Sequence, residues 1–517
     1  MCPVPARGAP RLCAVLLVTA GAFAACSESN EGGTPGGGAN GGSGATGGAS
    51  AAGGSSAAGS GGGSSASGGT AGSTGGGASG SGGTGGGSAD AAPEVCDATC
   101  HFVRADAPTG GDGASWSTAW QSLPDTLERG HRYYVADGDY PAYTFDDPAA
   151  DVQIVTIVKA TAGRHGSEAG WQDAYGDGSA SFGPLSFTDP YYVVDGGAGR
   201  GLRVVGDFQG DVVTIDAAHV TLQNAEIDGA FAANASGQHV AGACTGLSAG
   251  GTNNVRIEGC EIHDVADDGV SLSNVQEVDF VGNVVHALHA CGTDGGCGPC
   301  YNGHSDGIET YDVEHGRFIG NFVYDVRSTA TFFFGNWADS LGNGPSEYCE
   351  DMLLENNVFY APEVGLVAYI QDANGVRAYN NVFWGVRQGG YGGLSVGQHV
   401  TGLYLYNNVI LSINLAHTGG TFNPAEHHGD YNVFGVSLGQ WQDSANDRVM
   451  DDPGFTAISA ASGTAVTSPQ PADFSPVATS PLVDTGYAGD ATISIPSTDF
   501  FGAARVGQPD VGAIERQ

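Results

Sequence analysis

The stretch VRIEGCEIHDVADDGVSLSNVQEVDFVGNVVH (255–286) states one pattern twice, as VRIEGCEIH (255–263) and as VDFVGNVVH (278–286). In each copy apolar and polar residues alternate, a small or Asn pair interrupts, and two or three apolar residues follow. Alternation at period two is a strand, the Gly/Asn interruption is a tight turn, and the second apolar group is another strand. Outward from there the phrase recurs as VTLQNAEID (220–228), GRFIGNFVY (316–324), MLLENNVFY (352–360), VRAYNNVFW (376–384) and GLYLYNNVI (402–410). Asn283, Asn321, Asn357, Asn381 and Asn408 fall into one column headed by Ala225 and Cys260, at spacings of 35, 23, 38, 36, 24 and 27 residues. A unit of 23–24 residues that takes in loops of roughly a dozen residues explains every spacing, and such self-similarity means a solenoid. Its short parallel strands, three to a coil, favour the Val, Ile, Phe and Leu found here. Stacked Asn side chains hydrogen-bond along the stack and tolerate a left-handed turn.

The rest of the chain sets limits. Of 517 residues 88 are glycine, and 17 basic residues face 56 acidic ones for a net charge of −39. Lys159 is the one lysine. Phosphate binding needs clustered Lys and Arg, so nucleic-acid partners are excluded. At the N-terminus Arg7 and Arg11 precede an apolar run, Leu12 to Phe23, that ends in Ala24-Ala25-Cys26. That is a secretory signal over 1–25, and its last residues resemble a bacterial lipobox with Cys26 as the lipidated residue. Residues 26–93 form a linker: glycine supplies 28 of the 60 positions from Glu31 to Asp90. Such a coil reaches roughly 40–45 Å. The expected product is an exported protein tethered by lipid to the envelope, at the outer membrane or cell surface, and monomeric. The eight cysteines beyond Cys26 read as disulfides in that compartment, with Cys96–Cys100 a local pair and a bridge between the Cys300 and Cys349 loops expected.

With those repeats the segment 94–517 resembles the right-handed parallel β-helix, or pectate-lyase-like, superfamily. The repeats are clearest over 220–434 and a closing segment covers 435–517. The stretch 102–140 looks like the leading segment of exported β-helix proteins, with Trp120, Leu123 and Leu127 on a short capping helix. TSPLVDTGY (479–487) and DFFGAARVGQPDVGAIE (499–515) resemble the closing segment. Fold alone does not name a reaction in this group.

Aligning coils by the Asn column pairs ADDGVS (266–271) with HSDGIE (304–309). Asp268 and Asp306 then stand about 4.8 Å apart on neighbouring coils. Two carboxylates that close suit acid/base work or a Ca²⁺ site, while a DG pair also makes an ordinary strand-start turn that caps backbone amides. His304, Glu309 and His263 flank them, and H-x-D-G-I resembles a phrase of carbohydrate-acting β-helix proteins. A second column, His263, His286, Tyr324, Tyr360 and Trp384, faces outward if its neighbours face inward. Its rings would then contact sugar faces, or else lie under inserted loops. A lyase needs Arg, His or Tyr as base, and a hydrolase would use Asp268, Asp306 and Glu309. The R-I-K and G-H-G phrases usual in polygalacturonases are absent. The sequence therefore points to a carbohydrate-active solenoid acting on a polysaccharide, with a non-catalytic surface binder as the competing reading.

Overall fold

The computed structural model describes residues 96, 98–207, 210–234, 239–289, 300, 305–327, 329–335, 348–362, 366–385, 393–415, 426–436, 441 and 444–517. The signal, Cys26 and the linker lie outside the described residues, as do His304, Cys291 and Cys297.

Each coil carries three strands. In one coil these are Val220–Gln223, Ala225–Asp228 and the first half of Thr245–Glu258; the second half of that long strand starts the next coil. Pairing between coils is parallel, with one register shift between Ile370 and Asp372, so Val220 sits on Val255, Val255 on Val278, Ile227 on Ile262 and Ile262 on Val285. The second strands form a 12-stranded sheet from Gly138–Tyr140 to Arg448–Val449. First and third strands merge into an 18-stranded sheet, because long strands such as Thr245–Glu258 and Val270–Val281 run through both faces.

Inward residues stack by type. Leu222, Ile257, Phe280, Phe318 and Leu354 are buried along the first face, and Ile262, Val285, Val323, Phe359 and Phe383 along the second. Coil upon coil removes apolar surface that one coil could not bury alone.

The corner between first and second strands is the tightest. Asn224, Gly259, Gly282, Gly320, Asn356, Asn380 and Asn407 each have φ between 53° and 66° there, a region open to Gly and tolerated by Asn. The next residue is the Asn column, fully buried. Asn283 Oδ1 accepts from Cys260 N at 2.8 Å, Asn321 Oδ1 from Asn283 N at 2.9 Å, and Asn357 Oδ1 from Asn321 N at 2.9 Å. Each Nδ2 donates to the next Asn Oδ1 and to a buried carbonyl, as Asn357 does to Phe318 O at 2.8 Å. The ladder runs on through Asn381 and Asn408 to Asn432, and ends on Asp447 Oδ1 at 2.8 Å.

The capping helix is replaced by irregular chain. One 3-10 turn spans Trp116–Thr118, and no helix follows it up to residue 131. Leu123 and Leu127 nevertheless enter the main core. Pro124 disfavours helical backbone at Leu123, and side chains then take the free amides: Asp147 Oδ1 accepts from Leu127 N at 2.8 Å and Tyr133 Oη from Glu128 N at 2.6 Å. Cys96 and Cys100 are bridged as expected. Cys300 pairs with Cys244 rather than with Cys349, which is a buried thiol inside the solenoid.

Candidate functional site

The alternation that buries Ile308 turns Glu309 outward on the third face. Register there aligns Ser271, Glu309, Phe333 and Tyr369 on successive coils, with Ser395 and Asn414 beyond. Tyr311 Oη donates to Glu309 Oε1 at 2.6 Å. The rings of Tyr311 and Phe333 stand 6.0 Å apart, those of Phe333 and Tyr369 5.4 Å. Behind Glu309, at the start of the strands, Asp267, Asp268 and Asp306 are buried.

Asp268 and Asp306 are on neighbouring coils, and each caps a backbone amide. Asp268 Oδ1 accepts from Asp306 N at 2.8 Å, and Asp306 Oδ1 accepts from Ala330 N at 2.9 Å. Burial, then the charges of Glu309 and Asp267, hold both carboxyls well above the ordinary range, with Asp306 adding to the push on Asp268. Burial and Glu309 likewise push the Tyr311 hydroxyl far up. The strand-start turn and the acidic cluster are therefore one object.

The sequence reading missed Asp372 and His399. Asp372 Oδ1 meets His399 Nδ1 at 2.7 Å on the neighbouring coil, beside Tyr369, whose hydroxyl burial and then Asp372 push up to about 12. The signal was present in the spacing. His399 follows Asp372 by 27 residues, as Asn408 follows Asn381.

The second-face column divides. His263, His286 and Tyr324 stack in parallel at 5.2 and 5.0 Å between ring centres and remain partly exposed. Glu261 Oε1 meets His286 Nε2 at 3.0 Å; Asp264 bonds both His263 and His289 at 2.9 Å; Arg203 pairs with Asp228 and Glu226. Tyr360 and Trp384 also face outward, but the closing segment covers them. They are 1% and 0% exposed, packed with Phe455, Phe474 and Leu482; Tyr360 Oη accepts from Val466 N at 2.9 Å. Neither offers a ring face to a glycan, because the same apolar surface is needed to seat the chain end.

Calcium at Asp268 and Asp306 would find one oxygen of each carboxyl already engaged by an amide. Among the described residues, the groups of three His or acid side chains whose ligand atoms converge are elsewhere: Glu226, Asp228 and His263, and His101, Glu128 and His131.

Residues 212–410 match a family model described as a right handed beta helix region. The described coils form a right-handed parallel β-helix. Among solved structures, this helix is similar to the pectate lyase Pel9A, at 14% identity and a TM-score of 0.40 over 82% of this chain and 98% of that one. It is also similar to XylC in complex with xylose, at 8% identity and 0.41 over 81% and 98%. A third is the PL6 family polysaccharide lyase Pedsa3628 from Pseudopedobacter saltans, at 12% and 0.32 over 62% and 89%. No curated protein matches the sequence significantly.

Proposed function

We propose that this β-helix is an envelope-tethered enzyme that binds a polysaccharide along its third face and cleaves it with carboxyl groups. One observation carries the reading. Asp268 and Asp306 do a job that asparagine does at no electrostatic cost elsewhere in the same solenoid, yet carboxyls occupy these positions. A buried carboxyl held well above the ordinary range suits a general acid, and Glu309 beside it is the complementary base or nucleophile. Tyr311 holds Glu309, and the half-buried Phe333 ring, backed by Tyr369, continues the face as an apolar platform for a sugar ring. His399, bonded to Asp372 farther along the same strands, would serve a lyase as base.

The lipid anchor at Cys26 and the linker support a place on the outer surface, within reach of extracellular glycan. Full-length protein incubated with neutral and acidic polysaccharides, with and without Ca²⁺, is analysed by mass spectrometry. Oligosaccharides with one added water support hydrolysis at the carboxyls. Unsaturated ends move the chemistry to His399 and the tyrosines. Binding without cleavage across the panel leaves a tethered glycan binder.

A further inference from the structure

We propose that the first coil holds a transition-metal ion of the Zn²⁺ class between His101, His131 and Glu128, far along the chain from the third-face cluster. His101 lies in the first strand, Cys100–Val103, and His131 immediately precedes the second, Arg132–Val135; their backbones are locked by the parallel register Cys100↔Arg132 and His101↔Tyr133. His101 Nε2 and His131 Nδ1 face each other at 2.9 Å, and Glu128 Oε2 is 3.4 Å from His131 Nδ1. All three ligand atoms lie within 4.8 Å of one another. Zn–N bonds of ~2.0–2.1 Å at a tetrahedral angle place two ligand nitrogens about 3.3 Å apart, close to what is found here.

The rings are also held in place. His101 packs against Trp120 at 5.0 Å and Tyr133 at 4.9 Å between ring centres. Two imidazoles turned nitrogen to nitrogen with a carboxylate alongside present a ready donor set. Imidazole with carboxylate suits Zn²⁺ and its neighbours and not Ca²⁺ or Mg²⁺. The two histidines bracket the irregular 104–131 segment, whose one helical element is the 3-10 turn Trp116–Thr118. An ion here would fasten that segment's far end to the first strand, next to the Cys96–Cys100 bridge, so its role is to pin the cap. The other convergent trio, Glu226, Asp228 and His263, already holds the Arg203 guanidinium, which makes it the natural control.

The full-length protein, stripped with chelator, is titrated with Zn²⁺ by calorimetry and with Co²⁺ by visible absorption. One ion per chain is expected, with Co²⁺ bands of nitrogen and oxygen ligation, and Zn²⁺ raises the melting temperature. His101→Gln and His131→Gln abolish this binding, Glu128→Gln weakens it about tenfold or more, and His263→Gln leaves it intact. Glu128 is largely exposed, so its variant keeps the test open if a histidine variant fails to fold. No Zn²⁺ bound by the parent overturns the proposal, leaving a plain imidazole–imidazole hydrogen bond. Binding lost in His263→Gln but kept in His101→Gln overturns it equally.

Discussion

The asparagines from Asn283 to Asn432 and the aspartates Asp268 and Asp306 both occupy buried corners, and both give a side-chain oxygen to a main-chain N–H one coil away. They differ in what else the group can do. Each Asn also donates through Nδ2, so both ends are used inside a neutral ladder. Each Asp places a titratable group among two further acids, where burial and like charge oppose ionisation. One column is built for stability alone, and the other sets burial and like charge against its own ionisation where a neutral amide would have sufficed.

The largest effect should come from breaking the neutral column at its centre. Asn357→Ala takes the Asn357 side chain from Asn321 N–H and Phe318 O in a dry interior, while Asn381 Oδ1 keeps the backbone N–H of residue 357. With about 1–3 kcal/mol for each buried group left unmade, the loss should reach about 3–5 kcal/mol in urea unfolding. A loss below about 1 kcal/mol would mean that water enters the corner and that the ladder is not what joins the coils.

The aspartate column should respond in the opposite way. Asp306→Asn keeps an oxygen for Ala330 N–H, so the fold survives. A carboxyl whose folded-state pKa lies above its unfolded value contributes stability at acid pH that is lost as pH rises through the folded pKa. The variant should therefore gain on the parent as pH increases, in paired urea melts at acid and alkaline pH. If Asp306 is the proton donor, glycan cleavage falls by about 10²–10⁴-fold in the same variant. Equal stability at both pH values would show a column that is only another turn cap.

How much of this was legible follows from what repeats. The Asn column, the strand faces and the outward rings were readable because each recurs at the coil spacing and obeys the two-residue alternation of a strand. Asp268 and Asp306 were found by the same alignment. Their dual character was not readable, since a DG pair looks the same whether its carboxyl caps an amide or works on a substrate. The burial of Tyr360 and Trp384 was hidden for a different reason: their cover comes from residues 455–482, roughly a hundred positions away and without any repeat.

A medium-sized effect tests that cover. In the three NN pairs 356–357, 380–381 and 407–408 the second Asn joins the ladder, while the first turns out to hold the chain end. Asn356 Nδ2 donates to Thr498 O, Asn380 Nδ2 to Asp510 O and Gly512 O, and Asn407 Nδ2 to Tyr487 O. In the coils at 259, 282 and 320 the same position is Gly. Asn380→Gly preserves the left-handed turn and deletes the anchor, together with the bond that Asn380 Oδ1 accepts from Asn407 Nδ2. It should cost about 1 kcal/mol and speed proteolysis of the closing segment, with the upstream coils unaffected.

The smallest effect belongs to the open, upstream part of the second face, where exposure screens every pair. The bond from His286 and the charge of Arg200 hold Glu261 down at about 2 from 4.5. Burial would lower His263, but the bond to Asp264 and the charges of Asp228, Asp264 and Glu226 outweigh it and raise the group above 6.5. The depressed Glu261 contributes stability above 4.5 that is lost as pH falls towards 2; the raised His263 contributes stability below 6.5 that is lost as pH rises through its folded value. The two contributions overlap in mildly acid solution, so the upstream coils should hold best there. His286→Gln removes the main cause of the Glu261 shift and should flatten the acid limb by a few tenths of a kcal/mol, measured as melting temperature against pH. An unchanged acid limb would mean that Arg200 alone sustains Glu261, and that the stacked histidines are free to bind something other than their own acids.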